Sequence, residues 1–335
     1  MRTFHFSTLP RVFSGACIVS KIEGDGPIGD CFDVVVGDDK MGLDSFEQAE
    51  LQIFENAVRL SCHKSGLSTE DINCLFAGDL LNQIITANYG ARNLGTPFLG
   101  LYGACSTMAE SLLIGGAFVD GGFLDPVACI ACSHFSTAER QFRYPLEMGT
   151  TSPPTAQRTV TGAGCLLVGR KLPPNPVYRH IALSGATVGR VIDLGITDGN
   201  NMGAAMAPAA CDTILTYFSE SGETPNDFDW IITGDLGRYG SELLFSLCEQ
   251  KGIDLKGKHF DCGNVIYPPL EKFNCGGSGC GCSAVTLTGH FLPYLERGDV
   301  KRILFLATGA LMSPTSSMQG ESIPGIAHAV VLEHK

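Results

Sequence analysis

The chain contains an internal repeat that aligns without a gap. The stretch SGLSTEDINCLFAGDL at residues 65–80 recurs as SGETPNDFDWIITGDL at residues 221–236, with the closing Gly-Asp-Leu kept in both copies. Each copy predicts a helix end, a turn, a short apolar strand and a polar strand exit. Such self-similarity indicates a duplicated structural unit, and any fold proposed for this chain has to contain that unit twice.

Corresponding segments surround both copies. A helical stretch precedes each one, a glycine-flanked Cys-Ser before an apolar helix follows it, and each half closes with a glycine turn and a strand. Strands that alternate with helices form parallel or mixed sheets covered by helices. We therefore predict an α/β fold of two pseudo-twofold-related halves, residues 1–173 and 174–335, divided within the proline-rich segment 171–177.

Charge and hydropathy exclude several classes of function. A formal net charge of −12 over 335 residues argues against a nucleic-acid partner and against adsorption to an anionic membrane surface. The chain has no run of about 18 apolar residues that could cross a bilayer, and its first residues lack the apolar core of a signal peptide. We expect that any membrane location would depend on a protein partner.

The fourteen cysteines are scattered, and many lie in apolar runs. This distribution predicts reduced, buried thiols. Cys129 and Cys132 would point to opposite faces of one strand. Cys275, Cys280 and Cys282 lie in a glycine-rich loop without a matching set of metal ligands. We therefore predict no metal site.

Cys105 lies at a strand exit, where ligands of such sheets usually bind. The segment FLGLYGA predicts a strand, helix begins near Ser106 or Thr107, and Thr107 and Glu110 have the spacing of a capping box. A helix N-terminus lowers the pKa of a thiol and also binds anions. The residues themselves leave three interpretations open: a nucleophile, an anion site, or a small buried residue in a tight turn.

A nucleophilic cysteine generally needs a histidine base within hydrogen-bond reach. None of the eight histidines falls in the second-half loops that would face Cys105. His134, at a strand exit of the first half, is the candidate base.

Long stretches of the chain resemble thiolases and ketoacyl synthases. GDLLNQIITANYGARNLGTPFLGLYGACSTMAESL is similar to their nucleophile region, and NCGGSGCGCSAVTLTGHFLPYLERGD to their second-half glycine loop. AGDLLNQ, ACSHFSTAERQFRYP, PPTAQRTVTGAG and DWIITGDLG resemble, more specifically, the stage V sporulation protein AD family. The resemblance covers essentially the whole chain and implies a duplicated thiolase-like fold.

This chain lacks residues that are catalytic in those enzymes, which implies that catalytic activity is lost. Ketoacyl synthases place a catalytic histidine where this chain has Gly234, and an asparagine or second histidine where it has Cys280 and Gly281. Without a base, and without a group that stabilises an enolate, the site cannot catalyse condensation. We expect a protein that is not an enzyme and holds no cofactor. The alternatives are an acyl-thioester enzyme that uses Cys105 and a structural subunit that binds no small molecule.

The family resemblance also implies a ligand and partners. It implies binding of dipicolinate (pyridine-2,6-dicarboxylate), free or as its calcium chelate, for uptake into developing spores. It implies membrane subunits of the same sporulation system as partners, and peripheral association with the forespore inner membrane on its cytoplasmic side. We further expect a homo-oligomer.

A flat dianion requires cationic and neutral hydrogen-bond donors. The loop 134–158 concentrates them, and the second-half glycine loop permits close backbone approach. Asp79 could face calcium or could cap a turn, and its duplicate at Asp235 favours the second role. The candidate ligand-binding residues are Asp79, Asn82, Gln83, Cys105, Ser106, His134, Arg140, Arg143, Gln157, Arg158, Gly276 and Gly277.

Overall fold

The computed structural model describes residues 1–143, 146–148, 152–269 and 273–335. Tyr144 and Pro145, which end the motif ACSHFSTAERQFRYP, lie outside the described residues. The strands are β1 Thr3–His5, β2 Arg11–Ser20, β3 Val34–Val36, β4 Cys74–Gly78, β5 Phe98–Gly100, β6 Val127–Ser133, β7 Arg158–Thr159, β8 Gly162–Gly169, β9 Ile181–Thr187, β10 Trp230–Thr233, β11 His259–Asp261, β12 Gly277–Ser278, β13 Arg302–Ala310 and β14 Gly325–His334.

Helices cover the strands on both sides. They are α1 Lys21–Gly24, α2 Phe46–Ser65, α3 Ile85–Leu94, α4 Thr107–Gly121, α5 Phe135–Phe142, α6 Met202–Ser221, α7 Gly237–Glu249, α8 Cys262–Ile266, α9 Cys280–Thr286, α10 Leu292–Arg297 and α11 Pro314–Met318. A π-helical turn, Leu287–Phe291, joins α9 to α10. None of the described helices is long and apolar enough to cross a membrane.

The strand order shows the duplication directly. One half of the sheet runs β5-β4-β6-β8-β2, and the other runs β11-β10-β13-β14-β9. In each half the first three strands of that order are parallel, and the last two pair antiparallel. The halves meet along β9, which pairs with β2 through Arg11 and Ala182 and with β1 over Thr3–His5. The predicted α/β class with two pseudo-twofold-related halves is confirmed. The predicted division lies in the connection between β8 and β9.

The repeated sequence encodes the same helix end in both halves. Gly66 and Gly222 terminate α2 and α6 in the left-handed conformation, at φ +74° and +76°. Asp71 and Asp227 then complete capping boxes at the short 3₁₀ turns that lead into β4 and β10. The recurring Gly and Asp therefore serve local folding.

The apolar helices α4 and α9 form the middle layer. Every residue of α9 is buried, and α4 is buried on most of its surface, as expected for helices that are apolar all round. Residues of both helices share one core cluster with inward-facing residues of both half-sheets, such as Phe76 and Phe305. Outer clusters place α2 and α3 on the first half-sheet and α6 and α7 on the second. The molecule is thus a five-layer stack.

All fourteen cysteines are free thiols, and Cys31 is the exposed one. Cys129 belongs to the central core cluster and Cys132 to an outer one. The two side chains of the C-x-x-C pair therefore lie on opposite faces of β6, as the strand periodicity predicts.

Packing of α9 against β8 generates a prediction about stability. A Cβ built on Gly164 would lie 2.4 Å from the backbone carbon and oxygen of Ala284. We expect Gly164→Ala to lower the free energy of unfolding by about 1–3 kcal/mol, because the middle helix has to move away. The measurement is chemical denaturation of purified protein.

Gly37→Ala is the matched control, because the Cβ would enter open space. Its unfolding free energy should stay within about 1 kcal/mol of wild type. Equal stability of the two variants would contradict the close approach of α9 to β8.

Candidate functional site

A cavity of about 530 Å³ opens where β4 and β13 end, and Cys105 lies in its wall. Its position at strand exits is the one expected for this class of sheet. We call it the Cys105 cavity. Its lining comes from the segment after β4, the turn before α4, the end of α5, the short β7–β12 pair, the start of α6 and the segment after β13.

Cys105 lies in a 3₁₀ turn, Ala104–Ser106, that runs directly into α4. The Ser106 amide donates to the Gly103 carbonyl, and the Thr107 amide donates to the Ala104 carbonyl. Thr107 Oγ1 also donates to the Ala104 carbonyl, at 2.6 Å, and no side chain caps α4. The predicted capping box with Glu110 is therefore not formed. The amides of Ser106 and Thr107 are thus used by the turn itself.

The Cys105 thiol faces the carboxylate of Asp235. Asp235 is fully buried at the exit of β10, the position that Asp79 occupies in the other half. Burial, followed by the charge of Asp235, raises the pKa of Cys105 well above its usual value. These effects outweigh any lowering of the pKa by the helix dipole. Cys105 is therefore a neutral thiol at neutral pH.

Asp235 connects three loops around the cysteine. Its carboxylate accepts hydrogen bonds from Ser278 Oγ at 2.8 Å, the Gly279 amide at 3.0 Å and Thr308 Oγ1 at 2.8 Å. Its acceptor positions are thus engaged by the glycine loop and by β13. Sequence reasoning gave Asp235 a structural role through the repeat, but it did not place the carboxylate against Cys105.

Asp79 lines the Cys105 cavity but is engaged by backbone amides. Its two carboxylate oxygens accept from Leu81 at 2.7 Å and Ala87 at 2.8 Å, which fixes the approach to α3. Burial raises the pKa of Asp79 to about 6. The buried Glu50, held by Thr137 Oγ1 at 2.7 Å, couples to it electrostatically. Of the two roles considered for Asp79, these contacts support the structural one.

The segment after Asp79 is conformationally strained at the cavity wall. Gln83 and Ile84 both have positive φ, 59° and 47°, which is costly for residues other than glycine. Gln141 of α5 holds the segment by accepting from the Asn82 amide at 2.9 Å and by donating to the Leu80 carbonyl at 2.9 Å. The exposed side chains of Asn82 and Gln83 line the cavity.

Arg143, just after α5, is the one cationic side chain among the described residues of the cavity wall. Its guanidinium pairs with Glu139 one turn earlier and donates to the Gln157 carbonyl at 3.2 Å. Only 10% of the side chain is exposed. The cavity therefore offers a largely desolvated guanidinium whose charge is already balanced.

His134 does not line the cavity. It caps α5: Nδ1 accepts from the Ser136 amide at 3.1 Å, and Nε2 donates to the Asp39 carbonyl at 2.8 Å. The ring is fully buried, and burial lowers its pKa. Both nitrogens are engaged in a neutral imidazole, so the contacts do not support the predicted roles as base or ligand donor.

Other predicted residues of the 134–158 loop also lie outside the cavity wall. Arg140 pairs with Glu47 at an adjoining shallow hollow of about 360 Å³, which shares Leu81, Asn82 and Gln141 with the cavity wall. The guanidinium of Arg158 lies 3.8 Å from the centre of the Phe135 ring. Gln157 is buried and donates to backbone carbonyls at the Asp235 turn and in the glycine loop.

The glycine loop reaches the cavity through Ser278. Gly276 and Gly277 form the backbone under it: Gly276 has φ +118°, and a Cβ there would lie 2.6 Å from the Gly263 carbonyl oxygen. Ser106 is buried and donates to the Gly103 carbonyl at 2.7 Å. These residues shape the surroundings of the site without facing the cavity.

Several cavity residues were not predicted from the sequence. They are the uncharged polar residues Tyr102, Gln141, Thr159 and Ser278, together with Met202 and the segment 310–315. The segment 310–315 could have been found, because it lies at the end of β13. Met202 carries no such signal. Among the described residues, no group of three or more His, Cys, Asp or Glu side chains is arranged to hold a metal ion.

Comparisons with known proteins agree with this architecture. The family model for stage V sporulation protein AD matches residues 1–333. Stage V sporulation protein AD of Bacillus subtilis is 47% identical over 311 residues, covering 93% of this chain and 90% of that protein.

Two solved structures show the fold alone. 3-Oxoacyl-[acyl-carrier-protein] synthase III from Aquifex aeolicus has a TM-score of 0.58 at 15% identity, covering 97% of this chain and all of that one. Cerulenin-bound OleA from Xanthomonas campestris has a TM-score of 0.61 at 15% identity, covering 98% of each chain.

The environment of Cys105 predicts low reactivity. At about pH 7.5 we expect iodoacetamide to modify the exposed Cys31 long before Cys105, because alkylation needs an accessible thiolate. Time-resolved alkylation with peptide mass spectrometry measures both rates in one sample. Faster modification of Cys105 than of Cys31 would show that Cys105 is an activated nucleophile.

We expect the buried carboxyl of Asp261 to make a pH-dependent contribution to the free energy of unfolding. It accepts from the Leu236 and Gly237 amides directly after Asp235, and burial raises its pKa to about 7. Ionising a carboxyl whose pKa is raised by folding disfavours the folded state. Its stabilising contribution is therefore present near pH 4 and is lost as the pH rises to about 7, by about 1.4 kcal/mol for each pKa unit.

The test compares wild type with Asp261→Asn by urea denaturation at about pH 5 and about pH 7.5. The variant lacks the titrating group, so its stability deficit should be larger at the lower pH. A deficit that stays constant or grows with pH would contradict the raised pKa.

Proposed function

The chain belongs to the stage V sporulation protein AD family, and we propose that it binds dipicolinate in the Cys105 cavity without catalysing a reaction on it. The observation that carries the proposal is the contact between the Cys105 thiol and the Asp235 carboxylate. A nucleophilic cysteine needs a neighbour that removes its proton or stabilises its negative charge. Here the neighbour is a buried carboxylate whose charge adds to burial in opposing ionisation of the thiol.

The size and lining of the cavity suit a small aromatic dicarboxylate. About 530 Å³ falls in the range of small-molecule pockets. Leu81, Met202 and Met312 provide apolar surface for the faces of a flat ring. The amides of Asn82 and Gln83 and the hydroxyl of Ser278 provide donors for carboxylates at its edge.

Arg143 is the cation that would receive one carboxylate. A guanidinium binds a carboxylate through two parallel N–H donors, and it does so most strongly where water is excluded. A ligand carboxylate would share Arg143 with Glu139, its present partner. The second carboxylate would take neutral donors on the Asn82–Gln83 segment. The calcium chelate of dipicolinate carries less net negative charge than the free dianion, so it needs less positive charge from the cavity wall. It therefore suits a wall in which Arg143 is already paired with Glu139.

The rival function is that of an acyl-thioester enzyme with Cys105 as nucleophile. The cysteine does line a ligand-sized cavity, which that function also requires. Against it, no histidine lines the part of the cavity wall that the structure describes, and Cys105 is neutral. The proposal further includes uptake into the developing spore beside membrane subunits at the forespore inner membrane, as a homo-oligomer.

Two arginines three residues apart provide a matched test of the ligand site. Arg143 lines the cavity, whereas Arg140 pairs with Glu47 at the adjoining hollow and does not line the cavity. We expect Arg143→Ala to weaken dipicolinate binding by about 2–5 kcal/mol and Arg140→Ala by less than about 1 kcal/mol. Titration calorimetry with dipicolinate, free and calcium-bound, measures both, with a monocarboxylate as negative control.

Cys105 variants test the place of binding independently of Arg143. Cys105→Ala should bind with little loss, because a neutral thiol is a poor donor. Cys105→Trp should abolish binding by filling the cavity. If Cys105→Trp melts like wild type and still binds dipicolinate, the ligand site is elsewhere. Turnover of acyl thioesters that depends on Cys105 would instead favour the enzyme.

A further inference from the structure

Two buried cysteines face each other in the outer helical layer, away from the Cys105 cavity. Cys211 lies in α6 and Cys248 in the last turn of α7. Their sulfur atoms are 3.6 Å apart. Cys248 is fully buried, and Cys211 retains 6% exposure. No sequence pattern links the two residues, which lie 37 positions apart along the chain.

The two thiols are electronically different. Contact with Cys248 lowers the pKa of Cys211, against burial and the charge of Asp212, and the same contact raises the pKa of Cys248. Access to solvent differs in the same sense, because Cys211 is partly exposed and Cys248 is fully buried. An oxidant therefore reaches the Cys211 sulfur first. This division suits an attacking and a resolving cysteine.

We propose that Cys211 and Cys248 form a peroxide-sensitive site that closes to a disulfide between α6 and α7. The Cys211 thiolate attacks one oxygen of hydrogen peroxide, the O–O bond breaks, and a sulfenic acid and hydroxide form. The Cys248 sulfur then attacks the Cys211 sulfur and displaces a second hydroxide, which takes up the Cys248 proton as water. In sum, two thiols are oxidised by two electrons, one peroxide is reduced, and two waters form.

The local geometry permits this closure. An S–S bond is about 2.05 Å long, so the two sulfurs have to approach by roughly 1.5 Å. Cys248 stands one residue before the end of α7, where a helix yields more readily than in its middle. Cys129 and Cys132 cannot form a disulfide with each other in this fold, because they lie on opposite faces of β6.

The experiment oxidises the folded full-length protein with hydrogen peroxide, blocks free thiols, and maps peptides without reduction. We expect a peptide pair linked through Cys211 and Cys248, reversed by dithiothreitol, while Cys105 and Cys129 stay reduced. The linked protein should melt a few degrees higher than the reduced form, because the cross-link closes a loop in the unfolded chain.

Cys211→Ser should abolish the linked peptide, whereas Cys31→Ser, which removes the exposed thiol, should leave it unchanged. If Cys211→Ser does not fold, the peptide map of wild type still decides. The proposal is overturned if the linked pair forms only in urea, or if Cys211 stops at sulfinic acid while Cys248 stays a thiol. Dipicolinate binding is not part of the readout, so this result is independent of the proposed function.

Discussion

The carboxylate of Asp235 is the interaction on which the centre of the molecule depends. It joins the exit of β10 to the glycine loop through Ser278 and Gly279, and to β13 through Thr308. These connections hold together the second-half loops that surround the turn carrying Cys105. The same carboxylate affects the chemistry of the cysteine, because its charge adds to burial in raising the pKa of the Cys105 thiol. Asp235 thus contributes both to the assembly of the site and to the low reactivity of the thiol.

The fold was predictable because the repeat carries local folding signals twice. Gly66 and Gly222 require a left-handed helix end, and Asp71 and Asp227 cap the next turn. Periodic apolar strands and the resemblance to thiolases supplied the rest. Such signals depend on neighbours in the chain, which a sequence shows directly.

The site was predictable only in part. Asp79, Asn82, Gln83, Cys105 and Arg143 line the cavity because they follow strand or helix ends, where chain order fixes position. His134 also follows a strand end and Arg158 begins β7, yet their side chains contact Asp39 and Phe135. A sequence gives the position of a residue along an element, but competition among nearby partners decides where its side chain points. The contact between Cys105 and Asp235 depends on packing between the halves, so no local pattern could have predicted it.

The shared middle layer has a consequence for a single half of the molecule. The half-sheets meet along β9, which pairs with Arg11 of β2 and with β1, and α4 and α9 pack in one core cluster with residues of both half-sheets. Separated halves would each expose to water the apolar surface that this cluster buries. A single unit with this helix arrangement would therefore need a partner surface over that face, and the duplicated half provides it here.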